Sequence, residues 1–293
     1  MGSWDAIAAA ISRATGAPFR VQSRQAVGGG CINAGYRVVD GARAYFVKLN
    51  ESSRLAMFEA EAAGLEEIAR SRTLRVPRPV CHGADDEASW LVLEHIELRS
   101  ASQRSMRALG LGLARLHRVT AEWYGWSRDN TIGATPQVNT PSADWIAFWR
   151  VHRLGFQLRL AAENGHRGRL LGEGERLLER LPVFFAGHAP GPSLLHGDLW
   201  SGNVAFDEAG APVVFDPAVY YGDREADLAM TELFGGFAPG FYAAYDEAYP
   251  LDPGYARRKL LYNLYHVLNH LNLFGGGYRA QAERMIGELL TQA

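Results

Sequence analysis

The chain has 293 residues, 47% of them hydrophobic and 21% charged, with a formal net charge of −2. That length allows one large domain or two smaller ones, and near-neutrality excludes a global field that would gather nucleic acid or an anionic membrane. No apolar run approaches the ~20 residues that cross a bilayer, and two cysteines, Cys31 and Cys81, exclude a disulfide framework, so a cytoplasmic protein without nucleic-acid or membrane partners is expected.

Trp4, Ile7 and Ile11 recur at helical spacing near the N-terminus, without the basic flank and continuous apolar stretch of a signal peptide. Residues 19–96 read mostly as strands. Segments 19–27 and 31–39 flank Gly28-Gly29-Gly30, and Asp40-Gly41 signals a hairpin into 43–49, where Tyr45, Val47 and Leu49 alternate with the rest. A helical stripe of Leu55, Phe58, Ala62, Leu65 and Ile68 intervenes at 53–70. Val76-Pro77-Arg78-Pro79 then breaks the chain, and short strands follow at 80–84 and 89–96 around the turn Asp85-Asp86-Glu87. From about residue 100 the pattern is helical, at 102–119, 143–162, 172–187, 224–235, 238–248, 254–274 and 278–291. A small β island interrupts it at 194–197, 204–207 and 213–216. The expected fold is α+β and bilobal: a β-rich N-terminal lobe over 1–96, a mainly helical C-terminal lobe over 97–293, and a ligand in the cleft between them.

The most informative run is Leu195-His196-Gly197-Asp198-Leu199-Trp200-Ser201-Gly202-Asn203, followed by Phe215-Asp216-Pro217. An Asp after Gly is by itself turn chemistry. Joined to an amide five residues on and a second carboxylate at the end of a hairpin, it fits phosphoryl transfer, which needs metal-bound phosphates held in line with a hydroxyl. Asp198 is the candidate base, while Asn203 and Asp216 offer the hard oxygens that Mg²⁺ prefers.

Upstream, Gly28, Gly29 and Gly30 suit a loop whose amides cover ATP phosphates, although three glycines equally suit any tight hairpin. Lys48 is one of only two lysines in an arginine-rich chain, the other being Lys259. Its strand, Tyr-Phe-Val-Lys-Leu, is comparable to the V-A-I-K strand of kinases. Glu59 and Glu61 are both candidate partners for it. Glu61 is favoured because it shares the E-x-x-x-L-x-x-L stripe with Leu65 and Ile68.

These runs, with Gly28–Asn33, Phe46–Asn50, the stretch 216–230 (D-P-A-V-Y-Y-G-D-R-E-A-D-L-A-M) and 269–278 (N-H-L-N-L-F-G-G-G-Y), resemble the fructosamine kinase, or ketosamine-3-kinase, family. That family lies within the protein-kinase-like group of aminoglycoside phosphotransferases and choline kinases. The likeness spans about residues 20–280. It implies an ATP- and Mg²⁺-dependent kinase acting on the third hydroxyl of ketosamines, free or protein-bound, in deglycation. It further implies that Lys48 holds the phosphates, Asp198 is the base, Asn203 and Asp216 bind magnesium, and the backbone of Glu94, His95 and Ile96 reads adenine. The short passage from Asp216 to the helix near Asp223 leaves no room for the activation segment of protein kinases.

Trp200 is expected to stack on the sugar or its amine-bearing arm, core packing being the competing role. His266 and His270 stand four apart on a helix, but no third ligand follows as in zinc enzymes. His270 is assigned to the substrate side, and Leu260, Leu264, Val267, Leu271 and Phe274 to the buried stripe. Asp227 is expected to accept hydrogen bonds from catalytic-loop amides, and Trp145, Phe148, Trp149 and Phe156 to fill the core. Cys31, beside the phosphate loop, is a candidate redox site, as related kinases are sensitive there. Cys81 is not expected to matter. The expected state is a monomer or a redox-linked homodimer. Two alternatives stay open: an aminoglycoside or amino-alcohol phosphotransferase of the same fold, and a pseudokinase scaffold.

Overall fold

The computed structural model describes residues 3–28 and 32–293. Helix α1 (Ser3–Thr15) leads to β1 (Ser23–Val27), β2 (Ala34–Asp40), β3 (Arg43–Asn50), α2 (Leu55–Ser71), β4 (Pro79–Ala84) and β5 (Ser89–Glu94). Next come α3 (Gln103–Leu116), the hairpin β6 (Asn130–Ile132) and β7 (Thr135–Gln137), and the helices α4 (Trp145–Phe148), α5 (Gly155–Glu163) and α6 (Arg169–Phe184). Four three-residue strands follow: β8 (Ser193–Leu195), β9 (Val204–Phe206), β10 (Pro212–Val214) and β11 (Tyr220–Gly222). Helices α7 (Glu225–Leu233), α8 (Pro239–Ala248), α9 (Tyr255–Phe274) and α10 (Tyr278–Gln292) complete the chain. No helix among the described residues is long and apolar enough to cross a membrane.

Contacts divide the chain into two compact units, Met1–Ser105 with Gly202–Pro217, and Met106–Ser201 with Ala218–Ala293. The sequence placed one boundary at 96/97. The difference arises because the β9–β10 hairpin is tied to the earlier chain. Arg99 and Phe206 exchange backbone hydrogen bonds of 2.7 and 3.3 Å, and the Val214 amide donates to the Arg75 carbonyl at 2.9 Å.

The first unit is built on an antiparallel sheet of order β1-β2-β3-β5-β4. Strand alternation sorts its side chains onto two faces. Val38, Val47, Trp90 and Val92 pack with Ile7 and Ile11 of α1 and with Phe19, Tyr45 and Leu49 joining that core. Lys48, one residue from Val47, therefore points the other way, towards α2. In the register it lies opposite Gly35 of β2 and Leu91 of β5. Along α2, Phe58, Leu65 and Ile68 are fully buried, and Glu61, three residues after Phe58 and four before Leu65, lies on the same face.

The second unit is mainly helical around α9, which is buried from Leu261 to Asn269 without interruption. An element enclosed on every side has no single stripe. Thus Leu261 and Leu268 join the expected Leu264, Val267 and Leu271 in the core, whereas Leu260 is half-buried and Phe274 is 52% exposed. The expected helix 143–162 is interrupted by π-helical turns over Trp149–Leu154. Within them Arg153 is wholly buried, its guanidinium 4.1 Å from the Tyr220 ring centroid and 4.6 Å from that of Phe148. The β island also divides: β9 pairs with β10, whereas β8 pairs with β11.

Candidate active site

Lys48 is 5% exposed, and its ammonium donates to Glu61 Oε1 and Asp216 Oδ1, each at 2.5 Å. Of the two candidate glutamates it is Glu61 that reaches the lysine. Burial opposes the charge, but the two carboxylates outweigh it and push the pKa of Lys48 well above its ordinary value. The ammonium is thus a fixed point charge.

The β9–β10 hairpin sets Asp216. Val204 pairs with Val214, and one step further the Phe215 amide donates to the Asn203 carbonyl at 3.1 Å. Asn203 and Asp216 consequently leave the open end of one hairpin side by side. Asp216 has φ of 57°, one of two non-glycine residues with positive φ among those described; asparagine and aspartate tolerate this region best. Its carboxylate stays 44% exposed although one oxygen is on Lys48. A neutral carbonyl oxygen and a half-open carboxylate are a donor set that fits magnesium.

Asp198 sits on the loop after β8, partly exposed. Asp227, three residues into α7 and 1% exposed, accepts from the His196 and Gly197 amides at 2.8 Å each. The Nε2 of His117, the residue after α3, adds a 3.2 Å contact. Burial alone would raise the pKa of Asp227, but His117, His196 and the Gly197 amide together prevail and hold it below the usual carboxylate range. Gly197 has φ of 83°, and a Cβ there would stand 2.0 Å from the Ala218 carbonyl oxygen, so only glycine fits. The Ala218 amide in turn donates to the His196 carbonyl at 2.8 Å.

Gly28 is exposed after β1, whereas Gly29, Gly30 and Cys31 lie outside the described residues. Glu94 ends β5, its carboxylate held by Arg75 at 2.9 Å and its amide donating to the Arg78 carbonyl at 2.8 Å. His95 Nε2 accepts from Arg37 Nε at 2.7 Å, and Ile96 is buried. A cavity of about 640 Å³ lined by Thr15, Tyr45, Arg75, Arg78, Glu94 and His95 lies on the α1 face of the sheet, opposite Lys48. It is therefore not the phosphate site. Cys81 packs against the α1 core, and burial pushes its thiol up to about 11, which makes it unreactive.

Trp200 and His270 belong to one cluster of rings bridged by Phe234, with centroid separations of 5.9 and 5.1 Å. His266 is buried and held neutral, its pKa lowered to about 3 by burial. The sequence reading missed His117 and Phe234. One signal was available for the first: Glu225 and Asp227 stand directly before the apolar run Leu228-Ala229-Met230, and buried carboxylates require partners.

The family model for fructosamine kinase matches residues 3–292. The chain belongs to the fructosamine kinase family. It is 50% identical to a protein of Synechocystis assigned as a ketoamine kinase, over 98% of this chain and 97% of that one. It is 44% identical to the chloroplastic protein-ribulosamine 3-kinase of Arabidopsis thaliana, over 90% and 81%. Among solved structures, one from Haemophilus somnus assigned as a fructosamine-3-kinase superposes with a TM-score of 0.90 at 30% identity, covering 98% and 97% of the two chains. An aminoglycoside phosphotransferase superposes at TM-score 0.63 and 14% identity, over 97% and 98%. That likeness carries the α+β, protein-kinase-like fold alone. For this fructosamine kinase family member, kinship implies the use of ATP.

Proposed function

We propose that the chain is an ATP- and magnesium-dependent kinase that phosphorylates the 3-hydroxyl of ketosamines, free or protein-bound, in the cytoplasm. The observation that carries this reading is the Lys48 ammonium shared by Glu61 and Asp216 in a chain of the fructosamine kinase family.

Lys48 is poised to hold the phosphates as a fixed cation, with Glu61 keeping it in place. Gly28, Gly29 and Gly30 offer backbone amides to the same phosphates, and the backbone of Glu94, His95 and Ile96 reads the adenine. Asn203 and Asp216 hold magnesium, which when bound neutralises charge on the β- and γ-phosphates. Asp198 accepts the proton of the attacking hydroxyl. Trp200 and His270 face the ketosamine.

The test is phosphate transfer from Mg-ATP to ribulosamines, fructosamines and erythrulosamines, with the phosphorylated carbon located by NMR. Asp198→Asn is expected to lower kcat by roughly 10²- to 10⁴-fold with little change in ATP affinity, whereas Asp216→Ala weakens Mg-ATP binding. Absence of transfer to every ketosamine, or near-normal turnover in Asp198→Asn, would overturn the reading.

A further inference from the structure

A succession of ring contacts runs outward from Trp200. Its indole meets Phe234 edge-on, Phe234 meets the His270 imidazole at 5.1 Å, and that imidazole lies 5.2 Å from Tyr278 and 5.6 Å from Phe274. The rings come from the loop after β8, the residue following α7, the end of α9 and the first residue of α10. Surfaces gathered from so many segments are ordinarily core. Here Phe274 is 52% exposed and the other four rings stay partly open. Most of the remaining aromatic side chains of this unit, such as Trp145, Phe148, Trp149 and Tyr262, are buried, so the open wall has the character of a recognition surface.

The tautomer of His270 is set by its own helix. Nδ1 lies 2.7 Å from the His266 carbonyl oxygen, which only accepts, so Nδ1 carries the proton and Nε2 the lone pair. Nε2 has no hydrogen-bond partner among the described residues. Burial lowers the pKa of the ring and outweighs the bond to His266, which raises it. Neither influence is a charged side chain, and the imidazole is neutral.

We propose that this wall receives the amine-bearing arm of the ketosamine, with His270 Nε2 accepting a hydrogen bond from the substrate's secondary ammonium and the faces of Trp200, Phe234 and Tyr278 flanking the cation. The inference rests on the reading of the chain as a ketosamine kinase and adds what distinguishes a ketosamine from a free ketose: the amine on C1. A neutral acceptor among π faces selects a single ammonium, and the cation–π contribution is worth about 2- to 30-fold in affinity. Phe274, outermost and half in solvent, lies along the arm beyond the nitrogen, where large arms meet no wall.

The experiment compares two acceptors of equal shape, 1-butylamino-1-deoxyribulose and its ether analogue 1-O-butylribulose. kcat/KM is measured for both with wild type, His270→Phe and His270→Gln. Taking the amine-to-ether ratio within one preparation cancels any misfolded fraction. The wild-type ratio is expected to be about tenfold or more, falling to about twofold or less in His270→Phe through KM rather than kcat. His270→Gln, which keeps an acceptor, should recover part of it. A wild-type ratio near one, or an unchanged ratio in His270→Phe, overturns the inference while leaving the kinase reading intact, since both acceptors are still phosphorylated. Failure to phosphorylate any ketosamine overturns both.

Discussion

Lys48 places a compact ammonium between two carboxylates from distant parts of the chain, its Nζ 2.5 Å from each. That arrangement separates stability from activity. Lys48→Met strands the Glu61 carboxylate, which is 11% exposed, and breaking a buried pair costs about 3–5 kcal/mol. The half-open Asp216 moves the expectation to the low end. Adding Glu61→Leu removes the stranded charge, so the double variant should recover at least half of the lost melting temperature while remaining inactive. Calorimetry and an ATP-turnover assay on the three proteins check this. Recovery of turnover in the double variant would remove Lys48 from the phosphate site. The sequence exposed this residue through its rarity, and helical spacing favoured Glu61 over Glu59. No comparable regularity marked His117, whose contact with Asp227 spans 110 residues.

The element that supports the loop after β8 is the first turn of α7. Its Asp227 satisfies two consecutive amides of the His196-Gly197-Asp198 segment, an arrangement that only a two-oxygen acceptor completes. In Asp227→Asn one oxygen becomes a donor facing an N–H, leaving a buried group unsatisfied at a cost of about 1–3 kcal/mol. We expect a lowered melting temperature and a lower kcat, with KM for ATP less affected, as read by thermal melts and steady-state kinetics. Unchanged melting would remove Asp227 from the support of the loop. Asp227 was legible beforehand because a carboxylate near a helix start seeks amide donors. The β8–β11 ladder was not: three-residue strands carry too little alternation to reveal a partner. The π-helical turns over Trp149–Leu154 escaped for a related reason, since one inserted residue leaves an aromatic-rich helical pattern intact.

At the scale of the molecule, the two-part plan and the order of its elements were readable from hydrophobic periodicity, whereas the membership of residues 202–217 was not. That hairpin joins the first unit through backbone bonds at Arg75 and Arg99, which leave no side-chain signature. The second unit holds a partly buried charge network around His188. His188 sets Nε2 2.8 Å from Asp223 and Nδ1 2.7 Å from Asp252, a geometry that requires both ring nitrogens to donate. Burial opposes the charge, but the bond to Asp223 together with the negative charges of Asp223 and Glu225 outweighs it and raises the pKa. The resulting stabilisation is fully present below the ordinary histidine value near 6.5 and lost as pH rises through the raised one. The melting temperature should therefore decline on going from pH 6 to pH 9, with a shallower slope in His188→Gln. Equal slopes would show that His188 is not charged in the fold. Glu225 nearby is already engaged by Arg258 through a pair of bonds at 2.6 and 2.8 Å.

The late hairpin also bears on how the protein is made. During synthesis at roughly 5–20 residues per second, the segment Met1–Ser105 emerges well before Gly202–Pro217, with the intervening 96 residues (106–201) assigned to the other unit. For several seconds the nascent sheet has Glu61 but lacks Asp216. The ion pair that prepares Lys48 is then half complete, and β9 and β10 cannot yet occupy their places beside Arg75 and Arg99. The first unit is first in sequence but finishes only after more than half of the second has been translated, so completion of the Lys48 ion pair is a late event on the ribosome.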